Sequence, residues 1–294
     1  MSEQKDGDVW KSWLLHRRDV DDNRALANDH FKALRDKLLD NAEIEEGNVL
    51  LDVGTGTGLI SIGALERVGG AGRVLFSDIS TDCLEHCRSL TEELEMSDRA
   101  EFIEADVEDL AAIPDASVDV VTSRSVIIYV KKKRRAFEEF FRVLKPGGRL
   151  SMFEPINSFG FARRDGFFRG YETGPVTDLA ERVRAAIEEH QPVVDSPMLD
   201  FDERDMLQMV YDVGFSIVQI EYTAGIYTGK RGPQWEFFYS SPPNPLALSL
   251  EEAVTKALNE EEAERFVAHM KDAVENQETT ARSATMYLIA KKAS

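Results

Sequence analysis

The pattern of apolar and polar positions changes character along the chain. Over residues 1–47 the apolar positions recur at helical spacing: Trp10, Trp13 and Leu14, then Leu26, Phe31, Leu34 and Leu38. Such stripes predict an N-terminal helical segment with one apolar face. Gly47 and Asn48 break the pattern. From Val49 short apolar runs alternate with helical stretches. VLLDV (49–53), RVLFSD (73–78), AEFIEAD (100–106), VDVVTS (118–123) and RLSMFEP (149–155) read as strands. Helices are expected between them, over about 59–68, from an Asp82 N-cap to about Met96, and over 131–144. Strands and helices alternating at this spacing predict βαβ units and a parallel sheet. The Val, Ile, Leu and Phe content of the strands fits a sheet covered on both faces.

Two stretches depart from this rhythm. Residues 156–200 carry Phe159, Phe161, Phe167, Phe168 and Tyr171 and a helix expected over 176–189. Residues 223–282 carry Trp235, Phe237, Phe238 and Tyr239, a joint at Pro242-Pro243-Asn244-Pro245, and two acidic helices. Ser249 with Glu252 and Asn259 with Glu262 have capping-box spacing. Between the two stretches lie a helix (203–213) and a strand (215–222), and the chain closes on a strand at 283–292. The first aromatic stretch follows a strand end, so it is expected to roof a site and line an apolar pocket. The helices at 249–276 are expected to serve packing or a homodimer contact.

Composition narrows the function classes. The 294 residues hold 54 acidic and 35 basic side chains, a net charge of −19. That surface repels polyanions and argues against nucleic acid or an anionic membrane as partner. The five bases Lys131–Arg135 are expected to be a solvated helix face. Two cysteines exclude a disulfide scaffold and fit a reducing compartment. No apolar run is long enough to span a membrane, and the N-terminus has no signal-peptide core. The expected address is the cytoplasm. Cys83, His86 and Cys87 share a helix but supply only three ligands, so no metal site is expected.

The chemistry-bearing signal is VLLDVGTGTG followed by a helix. Such a turn lets backbone approach a ligand at the carboxyl edge of a parallel sheet, where a helix N-terminus offers free N–H groups. The glycines stand at 54, 56 and 58. A dinucleotide fingerprint would place its third glycine at 59, which is Leu59. Asp78 ends the second strand, where an acid can accept ribose hydroxyls and repel a pyrophosphate. Asp106 ends the third, within reach of an adenine amine. The set suits an adenosine ligand that carries positive charge.

This combination resembles the class I S-adenosylmethionine-dependent methyltransferases: LDVGTGTG (51–58) corresponds to their glycine motif, Asp78 to their ribose acid, Asp106 to their adenine-side acid, and RVLKPGGRL (142–150) to the turn before their fifth strand. The resemblance implies an α/β fold. Its frame is a Rossmann-like, doubly wound, mostly parallel seven-stranded sheet with an antiparallel last strand. N-terminal helices and two cap insertions (about 156–200 and 223–282) would elaborate a catalytic domain over 48–294. It implies S-adenosyl-L-methionine as cofactor, held by Asp52, Gly54, Thr55, Gly56, Gly58, Asp78, Ile79, Asp106, Val107 and Ser123. The expected activity is methyl transfer to a small-molecule acceptor, apolar or aromatic. Glu154, Tyr129, His30 and His190 are weighed as bases, none with a structural claim to the role. The alternatives are an NAD(P)-dependent oxidoreductase and a cofactor-binding protein without turnover.

Overall fold

The computed structural model describes residues 10–14, 24–160, 164–193, 196–229 and 234–294. Phe161 and parts of the N-terminal segment, including the side chain of Leu26, lie outside the described residues. The chain forms two compact units. The first comprises residues 1–156, 201–223 and 285–294, and the second 157–200 and 224–284.

In the first unit, α1 (Arg24–Asn41) precedes β1 (Val49–Val53), α2 (Leu59–Arg67), β2 (Arg73–Asp78), α3 (Thr81–Glu93), β3 (Ala100–Glu104), β4 (Val118–Arg124), α4 (Lys133–Val143) and β5 (Leu144–Pro155). Helix α5 (Glu203–Val213) and strands β6 (Ile217–Gly229) and β7 (Thr279–Lys291) complete the frame. The sheet order is β3-β2-β1-β4-β5-β7-β6. Pairing is parallel from β3 through β5, and β7 runs antiparallel to β5. The strand order reverses between β1 and β4, the place where open α/β sheets bind ligands.

The expected elements recur with shifted ends. β5 begins at Leu144, five residues early, because Leu144 already pairs with Val118 of β4, and the pairing resumes at Arg149 beside Val120 after an irregularity. β3 ends at Glu104, so Asp106 lies beyond it. The N-cap of α3 is Ser80, whose hydroxyl accepts from Cys83 N at 3.1 Å; Asp82 stands in the first turn instead. Either position places an acceptor near the free N–H groups, and Ser80 reaches them because its backbone is extended. α1 buries Leu34, Leu38 and Leu39, and its Leu38 carbonyl accepts from Ser151 Oγ of β5 at 2.7 Å.

The basic run is partly a structural device rather than only a solvated face. Lys133 is buried, donates to Val130 O at 2.9 Å and lies 4.8 Å from the Phe201 ring. Arg134 faces Glu138 and Asp212, and Arg135 pairs with Glu139 at 2.8 Å. Glu139 is 2% exposed. It also accepts from Leu110 N at 2.9 Å and from Arg142 Nη2 at 2.7 Å. Burial is the largest single influence and opposes its ionisation, but the hydrogen bonds from Arg142 and Leu110 N together with the charges of Arg142 and Arg135 outweigh it and hold its carboxyl below the usual range. Arg142 in turn donates to the carbonyls of Leu110 and Ile113. This network fixes the loop that follows β3 onto α4.

The second unit has a core of its own. Phe168, Tyr171, Leu179 and Val183 from the first insertion pack with Trp235, Phe238, Phe266 and Met270 from the second. Phe168, Tyr171, Trp235 and Phe238 therefore serve this core. Both capping boxes form, at Ser249/Glu252 and Asn259/Glu262. The apolar stripe Val254, Leu258, Phe266, Met270 and Val274 is spent on the same core, so it is not kept for a homodimer contact.

Replacing Glu139 by Ala leaves Leu110 N–H without its acceptor and takes one carboxylate from Arg142 and Arg135, although Arg142 keeps Asp115. Urea unfolding monitored by circular dichroism should show a loss of about 2–3 kcal/mol, the cost of unsatisfied charged hydrogen bonds near a buried site.

Candidate functional site

The site grows from register. Val53 of β1 lies beside Ser77 of β2 on one side and Ser123 of β4 on the other. Side chains in register across a parallel sheet project to the same face. The turn that leaves β1 is fixed to β2 by backbone: Gly54 N and Thr55 N both donate to Ser77 O, at 2.8 and 3.0 Å. Gly54 (φ +68°), Gly56 (+53°) and Gly58 (+85°) all take left-handed backbone. At Gly54 a β-carbon would stand 2.2 Å from Val126 Cγ2, so glycine is required twice over, by conformation and by space. Gly58 caps α2 without a side chain, leaving helix N–H groups at the turn.

Asp78 is nearly buried at the end of β2. Its Oδ2 accepts from Gly56 N at 2.8 Å and its Oδ1 from Ser80 N at 2.9 Å. An ionised carboxylate has about four acceptor positions, and with the Ile79 N–H also directed at it about one remains for a further donor. Burial pushes its carboxyl upward, against the opposing N–H bonds of Ser80, Gly56 and Ile79. Ala105 N donates to Asp78 O at 3.0 Å, which seats the loop after β3 beside it. Asp106 is exposed in that loop and accepts from Glu108 N, while Val107 is buried. Ile79 is 47% exposed, an apolar side chain open at the same edge. The structure thus brings residues 54–58, 78, 79, 106, 107 and 123 to neighbouring strand ends.

Asp52 does something different. It is buried beneath the turn, where its Oδ1 accepts from Thr122 Oγ1 at 2.8 Å and its Oδ2 from Ser61 Oγ, which also meets Thr55 Oγ1. Burial pushes its carboxyl up to about 6 against these bonds. It ties β1, β4, α2 and the turn together. Cys87 lies below as well, its thiol toward Gly56 O at 3.3 Å. Burial pushes the Cys87 thiol up to about 12, which marks it as packing. Among the described residues no group of His, Cys, Asp and Glu side chains could hold a metal.

Two features have no sequence motif. Glu154, fully buried near the end of β5, accepts from Val126 N and Ile127 N at 2.9 Å and from Ile128 N at 3.2 Å. It clamps the turn that leaves β4, in which Ser125 takes φ +56°. Burial pushes its carboxyl up to about 7, against those N–H bonds. Its oxygens are committed to backbone, so it is a positioning residue. Second, residues 10–14 form a helical turn at the site: Leu14 lies over Gly56, and Trp10 meets Tyr129 edge to face with centroids 5.0 Å apart. Helical spacing alone could flag Trp10 and Leu14 as one face, but not what that face covers.

The residues fit a cationic adenosine cofactor. Among the described residues, the hydroxyl oxygens of Thr57, Ser77 and Ser123 are buried without a hydrogen-bond partner. All three lie in the turn after β1 or at the flanking strand ends, where unpaired polar groups are costly in the absence of a ligand. Such a strand-end site on this sheet defines an S-adenosylmethionine-dependent methyltransferase of class I.

Comparison with known proteins agrees. Residues 51–152 match the family described as "Methyltransferase domain". The chain is 30% identical over 193 residues to the ubiquinone/menaquinone biosynthesis C-methyltransferase UbiE of Pseudomonas syringae pv. tomato, covering 64% of this chain and 73% of that one. It is 29% identical over 208 residues to UbiE of Cronobacter sakazakii, covering 66% and 77%. The YcgJ protein of Bacillus subtilis shares the fold, with a TM-score of 0.56 at 18% identity over 90% of this chain and 99% of that one. The chain belongs to the class I S-adenosylmethionine-dependent methyltransferases, and S-adenosylmethionine is its cofactor.

A carboxyl held above its ordinary value binds its proton more tightly in the folded chain. Glu154 therefore stabilises the fold below about pH 4.5, and that contribution is lost as pH rises through about 7. Asp52 acts in the same direction between about 3.8 and 6. Denaturant titrations of the wild type and Glu154→Gln across pH 4–8 should show a stability difference that falls by about 3 kcal/mol in the wild type relative to the variant. A flat difference would show that Glu154 titrates normally.

Proposed function

We propose that this chain methylates carbon on a small apolar acceptor that bears an aromatic or quinol ring. The single observation that carries the cofactor side is the cluster of orphaned hydroxyls around the Gly54–Gly58 turn, beside the carboxylate of Asp78. The acceptor side is supported by the two C-methyltransferases it resembles.

In this reading the 54–58 turn and the first N–H groups of α2 hold the amino-acid end of the cofactor. Asp78 accepts from the ribose, and Asp106 with Val107 borders the adenine. Ile79 offers its open apolar surface to the base. Ser123 contributes a backbone contact, with its unpaired hydroxyl as a further donor. Asp52 holds the turn from beneath. When bound, S-adenosylmethionine supplies an electrophilic methyl whose leaving group is a neutral thioether and needs no acid. What this chain must do is hold the acceptor carbon in line and exclude water, effects worth about 7–11 kcal/mol in favourable cases. The acceptor proton is then lost to solvent or to a base outside the groups described above.

The nicotinamide alternative loses ground because position 59, where its third glycine would stand, is the first residue of α2. A cytoplasmic address is supported by two free, buried cysteines. No helix among the described residues is long and apolar enough to cross a membrane. The net charge of −19 supports a small molecule over a nucleic acid as acceptor.

Calorimetric titration with S-adenosylhomocysteine tests the cofactor side. The wild type should bind it and not NADH, and Asp78→Asn should weaken it by about 10- to 100-fold, the loss of one hydrogen bond to a charged group. Unchanged affinity in the variant would remove Asp78 from the ribose. Transfer of a labelled methyl from S-adenosylmethionine to a demethylated hydroquinone, with the product carbon located by NMR, tests the acceptor side. A label on oxygen would overturn the carbon assignment.

A further inference from the structure

The helical turn at residues 10–14 spans the crevice where the strand order reverses. Trp10 and Leu14 are four residues apart and so share one helix face. Leu14 Cδ1 lies 3.2 Å from where a β-carbon on Gly56 would stand, above the turn that leaves β1. Trp10 packs edge to face on Tyr129, in the turn that leaves β4. Trp13 adds a second ring 6.4 Å from Trp10. One short segment therefore bridges the two turns between which a methyl donor and its acceptor must meet.

Tyr129 N donates to Val126 O at 2.9 Å, and the preceding N–H groups of residues 126–128 are clamped by the buried Glu154. Tyr129 is thus a fixed wall. Trp10 meets that wall through an edge-to-face ring contact, which a ligand ring can replace. A fixed aromatic face opposed by an aromatic side chain of another segment is suited to a planar ring, because edge-to-face and offset-stacked geometries are favoured for such pairs.

We propose that Tyr129 and Trp10 are the specificity-determining residues of the acceptor subsite: a planar aromatic acceptor ring packs against Tyr129, and Trp10 leaves Tyr129 to close over that ring. This deepens the methyltransferase reading and rests on it. The exchange swaps one aromatic contact for two, so affinity favours flat aromatic acceptors over saturated ones of equal size. The same closure would screen the reacting centre from water.

The test is calorimetry on full-length protein saturated with S-adenosylhomocysteine, with 2-naphthol as a planar probe and 2-decalol as its saturated counterpart. The wild type should prefer 2-naphthol by about fivefold or more. Trp10→Ala and Tyr129→Ala should each erase that preference, whereas Trp10→Phe and Tyr129→Phe should keep it within about threefold, and all four should bind S-adenosylhomocysteine as the wild type does. Equal binding of the two probes by the wild type overturns the proposal. So does tighter naphthol binding by Trp10→Ala, which would make Trp10 a plug, or a parallel loss of S-adenosylhomocysteine in both alanine variants, which would make the pair part of the fold. Failure of the wild type to bind S-adenosylhomocysteine at all would instead defeat the methyltransferase reading beneath it.

Discussion

Val126 occupies the space that any side chain at Gly54 would need, and the cofactor site depends on that contact. The turns leaving β1 and β4 can press together only because one contributes bare backbone in a left-handed conformation. Each is then held by groups outside the reacting centre. Ser77 O and Asp78 fix the β1 turn from the β2 side, Asp52 ties it down through Ser61 and Thr55, and Glu154 locks the β4 turn through three N–H groups. A site whose chemistry is mainly alignment gains from a shell that leaves little freedom to lose on binding.

That shell costs stability. Asp52 and Glu154 are both fully desolvated, and burial is the largest influence on each. Apolar residues of similar volume could fill the space, but they could not accept the N–H groups of residues 126–128, as Glu154 does, or the hydroxyls of Ser61 and Thr122, as Asp52 does. The buried carboxylates also set the sign of the local field. Asp52, Glu154 and the nearly buried Asp78 favour a ligand with positive charge, and Arg124 is the basic side chain that opposes them at Asp52 and Glu154. A sulfonium fits that balance better than a pyrophosphate, for the same reason that the carboxylate at position 78 disfavours one.

Much of this was legible in the sequence because the physics was local. A glycine turn after a buried strand, an acid at the next strand end and alternating elements are each short-range patterns, and their joint occurrence restricts topology. The capping boxes at Ser249 and Asn259 formed because both partners lie within one helical turn. What escaped was set by tertiary contact. Nothing around Glu154 reveals that its carboxylate will meet backbone from residues 126–128. Nothing near Trp10 shows that its face will cross the turns of β1 and β4. The sequence also does not show that Asp52, expected near the cofactor, will accept from Ser61 and Thr122 beneath the turn. The aromatic insertion was expected to roof a pocket because roofs and cores use the same residues; only packing tells them apart.

The second unit sharpens that last distinction. Its core joins Phe168 and Val183 with Trp235 and Phe266, residues separated by more than forty positions of chain that includes α5 and β6. The buried core of this unit draws its residues from both insertions. They are therefore one structural element supplied by two excursions from the sheet, and each is a condition for the other's burial. A change confined to either insertion acts on both, so it cannot be assigned to acceptor recognition until the integrity of the shared core has been measured.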